Sequence, residues 1–484
     1  MQQPRWNFEQ PLTYTPPAVD RFLALLNRHA DFWQPNTPIV VGRAPGRLDL
    51  MGGIADYSGA LVLQLPLDVA ALVAVQPDPQ PMLTIFSTNA RELDAEPLAL
   101  LPLDALARAD QPLSYAAAHA LLSADPRRSW AAYVAGVLLV LQRERGLRID
   151  CGLRVLIHSD VPPGKGVSSS AALEVAAMQA LCGSFDLPLN GREMAILCQK
   201  AENLVVGAPC GVMDQMTAAC GEQDRLLALL CQPAELLPSV VLPPEVEVWG
   251  IDSGIRHTVS GSDYGSVRVG AFMGYRIIAD LAGLTVAPLD DGRVAVDDRR
   301  WHGYLANITP SEWETLYRDH VPETLDGAAF LARYGGSTDP VTRIDPQRSY
   351  AVRQPTAHPI YEHQRVRLFR SLLECQPTTE TLHLLGELMY QSHASYGACG
   401  LGSEGTDRLV ALVREAGADH GLYGAKITGG GSGGTVAVLA RRGAIEAIRR
   451  IAAQYERESG RRALLLGGSS SGAVACGTGR VVRG

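Results

Sequence analysis

The amino-acid sequence predicts a two-domain α+β protein, and three observations carry that expectation. Strand signals dominate the first quarter and give way to long helical patterns. A proline-rich stretch at 233–244 then divides the chain. The second half is mostly helical before a β-β-α-β ending. By length, 484 residues suit about three domains, and two large ones fit equally well. A hydrophobic content of 46% and a formal charge of −8 describe a soluble globular chain with no reason to seek nucleic acid or an anionic membrane. An anionic ligand would have to be held by a local site. The nine cysteines show no CxxC and no metal-ligand spacing, so reduced thiols in a cytoplasmic protein are expected. No secretory signal opens the sequence, and the longest apolar run, 131–141, is too short to span a membrane and reads as a buried helix.

In chain order, 1–36 reads as a leader with one helix at 21–28. A strand at 38–42 precedes a glycine-rich loop at 43–57, and strands follow at 60–65, 70–75 and 82–87. Helical periodicity marks 130–145, 169–184 and 191–206, with a short helix at 212–216. Strands at 226–231 and 246–251 flank the proline-rich linker, which sets domains at 37–240 and 241–484. Helices are expected at 266–281, 311–320, 359–373, 378–396 and 406–416. Between them, 284–350 is polar and irregular and reads as an insertion. Strands at 423–428 and 435–439, a helix at 444–455 and a strand at 463–466 end the chain.

The stretch 161–172 joins a strand to a helix. Pro162 and Pro163 stop the strand, Gly164 and Gly166 allow close backbone approach, and Ser168, Ser169 and Ser170 fall where the helix begins. Unpaired amides and the positive end of the helix dipole suit phosphate there, and Lys165 adds a charge at the mouth. An ordinary serine-capped turn is the bland alternative. The P-loop signature is absent. Two further glycine-rich loops, 43–57 and 428–435, also lie beside strands.

These three loops, in this order, resemble those of the GHMP small-molecule kinases. Pro209-Cys210-Gly211-Val212-Met213-Asp214-Gln215 and Asp252-Ser253-Gly254-Ile255-Arg256-His257 are similar to segments of galactokinases. The runs 43–64, 164–175, 207–221 and 426–435 look like those of the kinase portion of plant L-arabinokinases. The resemblance extends over 284–350, which galactokinases lack. It implies a two-domain GHMP kinase fold with an N-terminal ribosomal-protein-S5-like α/β domain and a C-terminal ferredoxin-like α+β domain. The active site would lie in the cleft between them, with ATP and Mg²⁺ as cofactors and a small sugar as substrate.

Phosphoryl transfer needs a triphosphate cradle, a divalent cation and a group to orient or deprotonate the accepting hydroxyl. Pro163 to Gly166 and Ser168 to Ser170 form the cradle, and the third loop adds Gly429, Gly430, Gly431 and Ser432. Ser170 is a candidate Mg²⁺ ligand; the resemblance adds Glu202, with Glu174, one helical turn past Ser170, as the alternative. Asp214 sits among Val212, Met213 and Met216, where a solvated charge is not expected, although a helix-capping role is open. Arg47 would contact Asp214 and the transferring phosphate, unless it pairs with Asp49 instead. The resemblance places Arg47 and Asp214 on the catalytic pair and leaves base and positioning roles for Asp214 both open.

On the sugar side, galactokinases carry Glu-His where this chain has Gly53-Ile54; Asp56 and Tyr57 are kept. That pair faces the C6 hydroxymethyl of galactose, and L-arabinopyranose has the ring configuration of galactose without C6. Gly53, Ile54, Asp56, Gly211 and Tyr264, with Arg47 and Asp214, are therefore the expected substrate contacts. The alternative has Gly52-Gly53 making a turn and Ile54 packing in the core. A uronic acid would want a cation near C6, and 51–58 holds none. The expected activity is L-arabinose 1-kinase. A galactokinase or other hexose or uronic acid 1-kinase is the alternative. A silent sugar sensor is disfavoured by the presence of Arg47, Ser170, Glu202 and Asp214 together.

Overall fold

The computed structural model describes residues 5–13, 17–108, 111–256 and 262–484; His257, in the second galactokinase-like segment, lies outside them. Two sheets organise the chain. The larger has nine strands, in the order Trp6–Gln10, Gly479–Arg483, Ile39–Met51, Leu61–Asp78, Gly152–Ser159, Met82–Ser87 and Leu98–Pro102. Arg225–Leu230 pairs with the start of Leu61–Asp78, and Glu235–Val241 pairs with Arg225–Leu230. The smaller sheet is antiparallel, with Leu422–Ile427, Thr435–Arg441, Val246–Asp252 and Leu465–Leu466 side by side.

Several elements differ from the sequence expectation, each for a physical reason. The loop expected at 43–57 is strand as far as Met51, and all thirteen residues of Ile39–Met51 are buried. Glycine here marks close packing rather than a turn. A Cβ on Gly42 would lie 2.3 Å from the Ala176 carbonyl oxygen, and one on Gly46 would lie 2.8 Å from that of Val167. The two strands expected at 60–65 and 70–75 are one, Leu61–Asp78. The linker at 233–244 holds the edge strand Glu235–Val241, whose register shifts between Leu237 and Val240, around Pro238, as a proline in an edge strand requires.

The leader is part of the large sheet. Trp6–Gln10 pairs with Gly479–Arg483, and helix Pro17–Arg28 buries Val19, Phe22 and Leu26 in a cluster with Trp6, Trp33 and Val481. The last strand therefore returns to the first sheet, although a division at the linker assigns it to the second half. The stretch 284–350 is short-elemented but cored. Trp301, Trp313, Tyr317, Phe330 and Tyr350 pack on Met273, Tyr275 and Ile277 of helix Ser262–Leu281. Its apolar residues are too widely spaced along the chain to show a period.

Helix Ser169–Ser184 begins where expected and lies on Ile39–Met51, burying Ala172, Val175, Ala176 and Ala180. Helix Ala132–Arg145 is buried from Val134 to Leu141, as its apolar run predicts. All nine cysteines are free thiols. Among the described residues, no helix is long and apolar enough to cross a membrane. The two sheets meet through a buried ion pair, Lys426 Nζ to Asp49 Oδ2 at 2.6 Å, with both side chains fully shielded. Asp49 Oδ1 also accepts the Gly53 amide at 2.9 Å and Gln64 Nε2 at 2.7 Å.

Candidate active site

The cradle is built from left-handed backbone. Gly164 (φ +68°), Gly166 (φ +70°) and Ser168 (φ +62°) turn the chain after strand Gly152–Ser159 and deliver it to helix Ser169–Ser184. Ser168 occupies the N-cap position without a side-chain cap, and its Oγ is buried without a partner. An uncapped sixteen-residue helix with an orphaned hydroxyl at its start fits an anion that supplies the missing acceptors. The third loop closes on this turn. A Cβ on Gly429 would lie 2.6 Å from the Gly166 carbonyl oxygen, and one on Gly434 would lie 2.7 Å from that of Lys165. The Thr435 hydroxyl donates to the Lys165 carbonyl at 2.8 Å.

Lys165 does not stand free at the mouth: its ammonium pairs with Asp252 at 2.8 Å. Burial raises the Asp252 carboxyl above its usual range, and Lys165 opposes that rise. The Ala398–Gly402 turn backs the third loop. The Leu401 carbonyl accepts the Ser432 amide at 2.7 Å, and a Cβ on Gly431 would lie 2.7 Å from Leu401 Cβ.

At the floor, Arg47 grips Asp214 with a fork, Nε to Oδ1 and Nη2 to Oδ2, both at 3.0 Å, and Nη1 donates to the Gly166 carbonyl at 2.6 Å. Asp49, the alternative partner, is committed to Lys426. The Arg47 side chain is 3% exposed and that of Asp214 22%, so the carboxylate faces the pocket more openly and the guanidinium stands behind it. Asp214 lies in the first turn of helix Met213–Cys220 and makes no side-chain cap there.

Glu202 lies where helix Gly191–Ala201 widens into the π-turn Glu202–Val206, the kind of irregularity that often marks functional sites. Its carboxyl takes hydrogen bonds from Ser170, from the Cys210 thiol at 3.5 Å and from Gln215 Nε2 at 2.5 Å. Burial, reinforced by Asp214, still pushes it up to about 7. Glu174 is fully buried beside it, shares Gln215 Nε2 at 3.2 Å and keeps Oε1 without a partner. Burial first, then Glu202, raises the Glu174 carboxyl well above its ordinary range. A hard-oxygen set of one hydroxyl and adjacent carboxylates with an unsatisfied oxygen fits Mg²⁺, which takes few protein ligands beside phosphate and water.

The pocket is lined by Arg47, Asp214, Gly164, Gly166 and Ser168 to Ser170, and by Ile54, Asp56, Cys210, Gly211 and Tyr264. Gly429, Gly430, Pro209 and Met213 complete the wall. Asp56 is 4% exposed and its Oδ1 has no partner; burial, then the Asp214 charge, pushes its carboxyl up to about 7. Gly211 is glycine because a Cβ there would fall 1.6 Å from Asp56 Oδ2. Gly53 departs from the expected set. It has φ +46°, and a Cβ would lie 1.6 Å from the Tyr396 hydroxyl, so it faces away from the pocket wall. Ile54 lines the wall and also packs with Tyr264, Val267 and Tyr396. Pro163, Lys165, Gly431, Ser432 and Glu202 lie outside the lining, although Glu202 reaches it through Ser170 and Cys210.

Sequence reasoning missed Tyr396, whose hydroxyl accepts the Ile54 amide at 2.9 Å and donates to the Gly429 carbonyl at 3.0 Å. It also missed Lys426 and Gln215 as partners of Asp49 and Glu202. None of these has a local signature; each acts across more than ten residues of chain.

Residues 132–222 match the GHMP kinases N terminal domain, 370–457 the GHMP kinases C terminal family, and 27–77 the galactokinase galactose-binding signature. The chain is 45% identical to an L-arabinokinase of Arabidopsis thaliana, over 92% of this chain and 47% of that protein, so it spans about half the length of this relative. It is 31% identical to a galactokinase of Chloroflexus aggregans over 91% of this chain and 94% of that one. The structure of Lactococcus lactis galactokinase complexed with galactose matches with a TM-score of 0.71 at 21% identity, covering 93% of this chain and 99% of that one, which establishes the fold. With a near-full-length galactokinase relative, both kinase domain families and this two-sheet α+β architecture, the chain belongs to the GHMP kinases, in the galactokinase group.

Proposed function

We propose that this chain is an ATP-dependent sugar 1-kinase that phosphorylates the anomeric hydroxyl of L-arabinose. The observation that carries the reading is the Arg47–Asp214 fork, placed where the phosphate cradle meets a wall of Ile54, Asp56 and Tyr264. The preference for L-arabinose draws on the 45% identity to an L-arabinokinase and on Ile54, an apolar side chain where galactokinases place a polar one.

Bound MgATP would supply the transferable phosphoryl group and the divalent charge. The amides at the start of helix Ser169–Ser184 would hold the phosphates, and Ser170 and Glu202 the cation. Asp214 would orient the sugar hydroxyl and take its proton. Arg47, fixed by the Gly166 carbonyl, would hold Asp214 in place and counter charge building on the transferring group. Asp56 would accept hydrogen bonds from ring hydroxyls, and its unpartnered Oδ1 has capacity for one.

ADP release measured over a panel of pentoses, hexoses and uronic acids tests the reading. L-arabinose should give the highest kcat/KM. A preference for D-galactose would select the galactokinase reading, to which the galactose-binding signature at 27–77 lends weight. Sugar binding without turnover on any member would select a sensor.

A further inference from the structure

The inserted stretch 284–350 takes no part in the chemistry above, yet it packs against the back of the sugar side at two places. At the first, Asp339 is fully buried and oriented by its own turn. It accepts the Val341 amide at 3.0 Å, the Thr342 amide at 3.2 Å and the Thr342 hydroxyl at 2.5 Å. The fixed carboxylate takes the guanidinium of Arg268 side-on, Nε to Oδ2 at 2.8 Å and Nη2 to Oδ1 at 2.7 Å. The remaining nitrogen, Nη1, donates to the Cys210 carbonyl at 3.2 Å. That peptide leads into Gly211 and Asp214. The same guanidinium stacks 5.3 Å over the ring of Tyr57, the residue after Asp56.

At the second place, Ala306 packs with Ala55 and Ala60. The Tyr304 ring leaves no room at Gly59, where a Cβ would come within 2.4 Å. Asn307 and Gln232 exchange amide hydrogen bonds at 2.8 and 3.0 Å, and Gln232 also donates to the Gly59 carbonyl at 2.7 Å. The turn that carries Asp56 is thus braced from outside at both ends.

We infer that the inserted segment is a positioning element of the sugar site: Asp339 fixes Arg268, and Arg268 fixes the Cys210–Gly211 peptide and the Asp56 turn where the sugar binds. The inference rests on the sugar-kinase reading. Stability alone is a poor reason for this pair, because a buried ion pair contributes little over a well-packed apolar one. Its geometry has a use that lysine cannot serve, since only a guanidinium has nitrogens left for a carbonyl after a two-point grip on a carboxylate. Neither Arg268 nor Asp339 lines the pocket, so both act through Cys210 and Tyr57.

The test compares wild type with Asp339→Asn, Arg268→Lys and Asn307→Ala. Steady-state kinetics use L-arabinose and D-galactose, and calorimetry measures sugar binding without nucleotide. The expected result is a rise of about ten- to a hundredfold in sugar KM and Kd for Asp339→Asn and Arg268→Lys, the scale of a misplacement on the order of 1 Å. Asn307→Ala, with its milder lesion, should shift sugar KM in the same direction and carries the test if the charged variants fold poorly. The KM for ATP should stay within about twofold of wild type, which a general loosening of the fold would not allow. Unchanged sugar affinity in folded variants of an active wild type would overturn the positioning role alone. So would parallel losses in both KM values. A wild type that binds and phosphorylates no sugar would overturn the kinase reading, and this inference with it.

Discussion

Replacing Asp56 by Asn should make the protein more stable at pH 8 while weakening its hold on sugar. In the folded chain the Asp56 carboxyl is pushed up to about 7 from an ordinary 3.8, by burial first and by the Asp214 charge second, with Arg268 opposing. Between those two values the folded state binds more protons than the unfolded chain, so stability falls as pH rises through the window. Below 3.8 both states are protonated and the group contributes nothing; above about 7 the full cost is present. At about 1.4 kcal/mol per pH unit, the difference between 7 and 3.8 comes to about 4 kcal/mol at pH 8. Asn removes that charge but leaves an amide with imperfect partners, which returns about 1–3 kcal/mol of the gain. The readout is therefore how the stability difference between variant and wild type changes with pH. Urea unfolding at pH 5 and pH 8 should show the advantage of Asp56→Asn growing toward pH 8. Hydrogen bonds to a charged acceptor contribute about 1.5–3 kcal/mol, so sugar affinity in the variant should fall by about ten- to a hundredfold. In the wild type, sugar affinity should rise from pH 6 to pH 8 as Asp56 ionises. A stability difference that is the same at both pH values, or a variant that binds sugar normally, would refute the reasoning.

Asp214→Asn keeps the side-chain shape, leaves one acceptor for the two-point Arg47 grip and removes the proton acceptor, so kcat should fall by about 10²–10⁴ while calorimetric sugar binding largely survives. Near-normal turnover would reduce Asp214 to a structural member of helix Met213–Cys220. Glu202→Gln should raise the Mg²⁺ concentration needed for half-maximal activity at saturating ATP. An unchanged requirement would pass the cation to Glu174, whose Oε1 has no partner.

The cradle was legible because its signals are local: two prolines, two glycines and three serines within nine residues fix both the turn and the start of the helix. Helix Ser169–Ser184 and strand Met82–Ser87 have the bounds that their periodicity predicts. Strand Ile39–Met51 was misread because it is buried on both faces and so has no polar alternation, while Gly42 and Gly46 imitate a loop. The leader and the insertion were underrated for a related reason. Strand Trp6–Gln10 has its partner at Gly479–Arg483, at the far end of the chain, and the aromatic core of 284–350 closes only on helix Ser262–Leu281. Pairings of that range leave no periodic trace in either segment alone. Among site residues, the Arg47–Asp214 contact followed from the motifs, whereas Asp49 turning to Lys426 required the second sheet to be in place.

Of the pair Gly53-Ile54, only Ile54 lines the pocket. Gly53 is held by its amide to Asp49 Oδ1 at 2.9 Å and by φ +46°, with the Tyr396 hydroxyl where a side chain would go. A glutamate there would displace the hydroxyl that ties Ile54 to Gly429, joining the first motif to the third. Glycine at 53 thus follows from this chain's Tyr396 and says nothing direct about C6. Ile54 is left as the apolar residue that lines this wall, and it is itself wedged against Tyr264 and Tyr396. An apolar wall of this kind turns away an added hydroxyl by only about 10², because it leaves no polar group of its own unpaired. On the proposed reading Asp56 and Tyr264 would meet hydroxyls common to L-arabinose and D-galactose and would add nothing to that ratio. On the same reading, discrimination against galactose would rest on the bulk of one side chain, and kinetics with both sugars should show galactose turned over at a reduced kcat/KM.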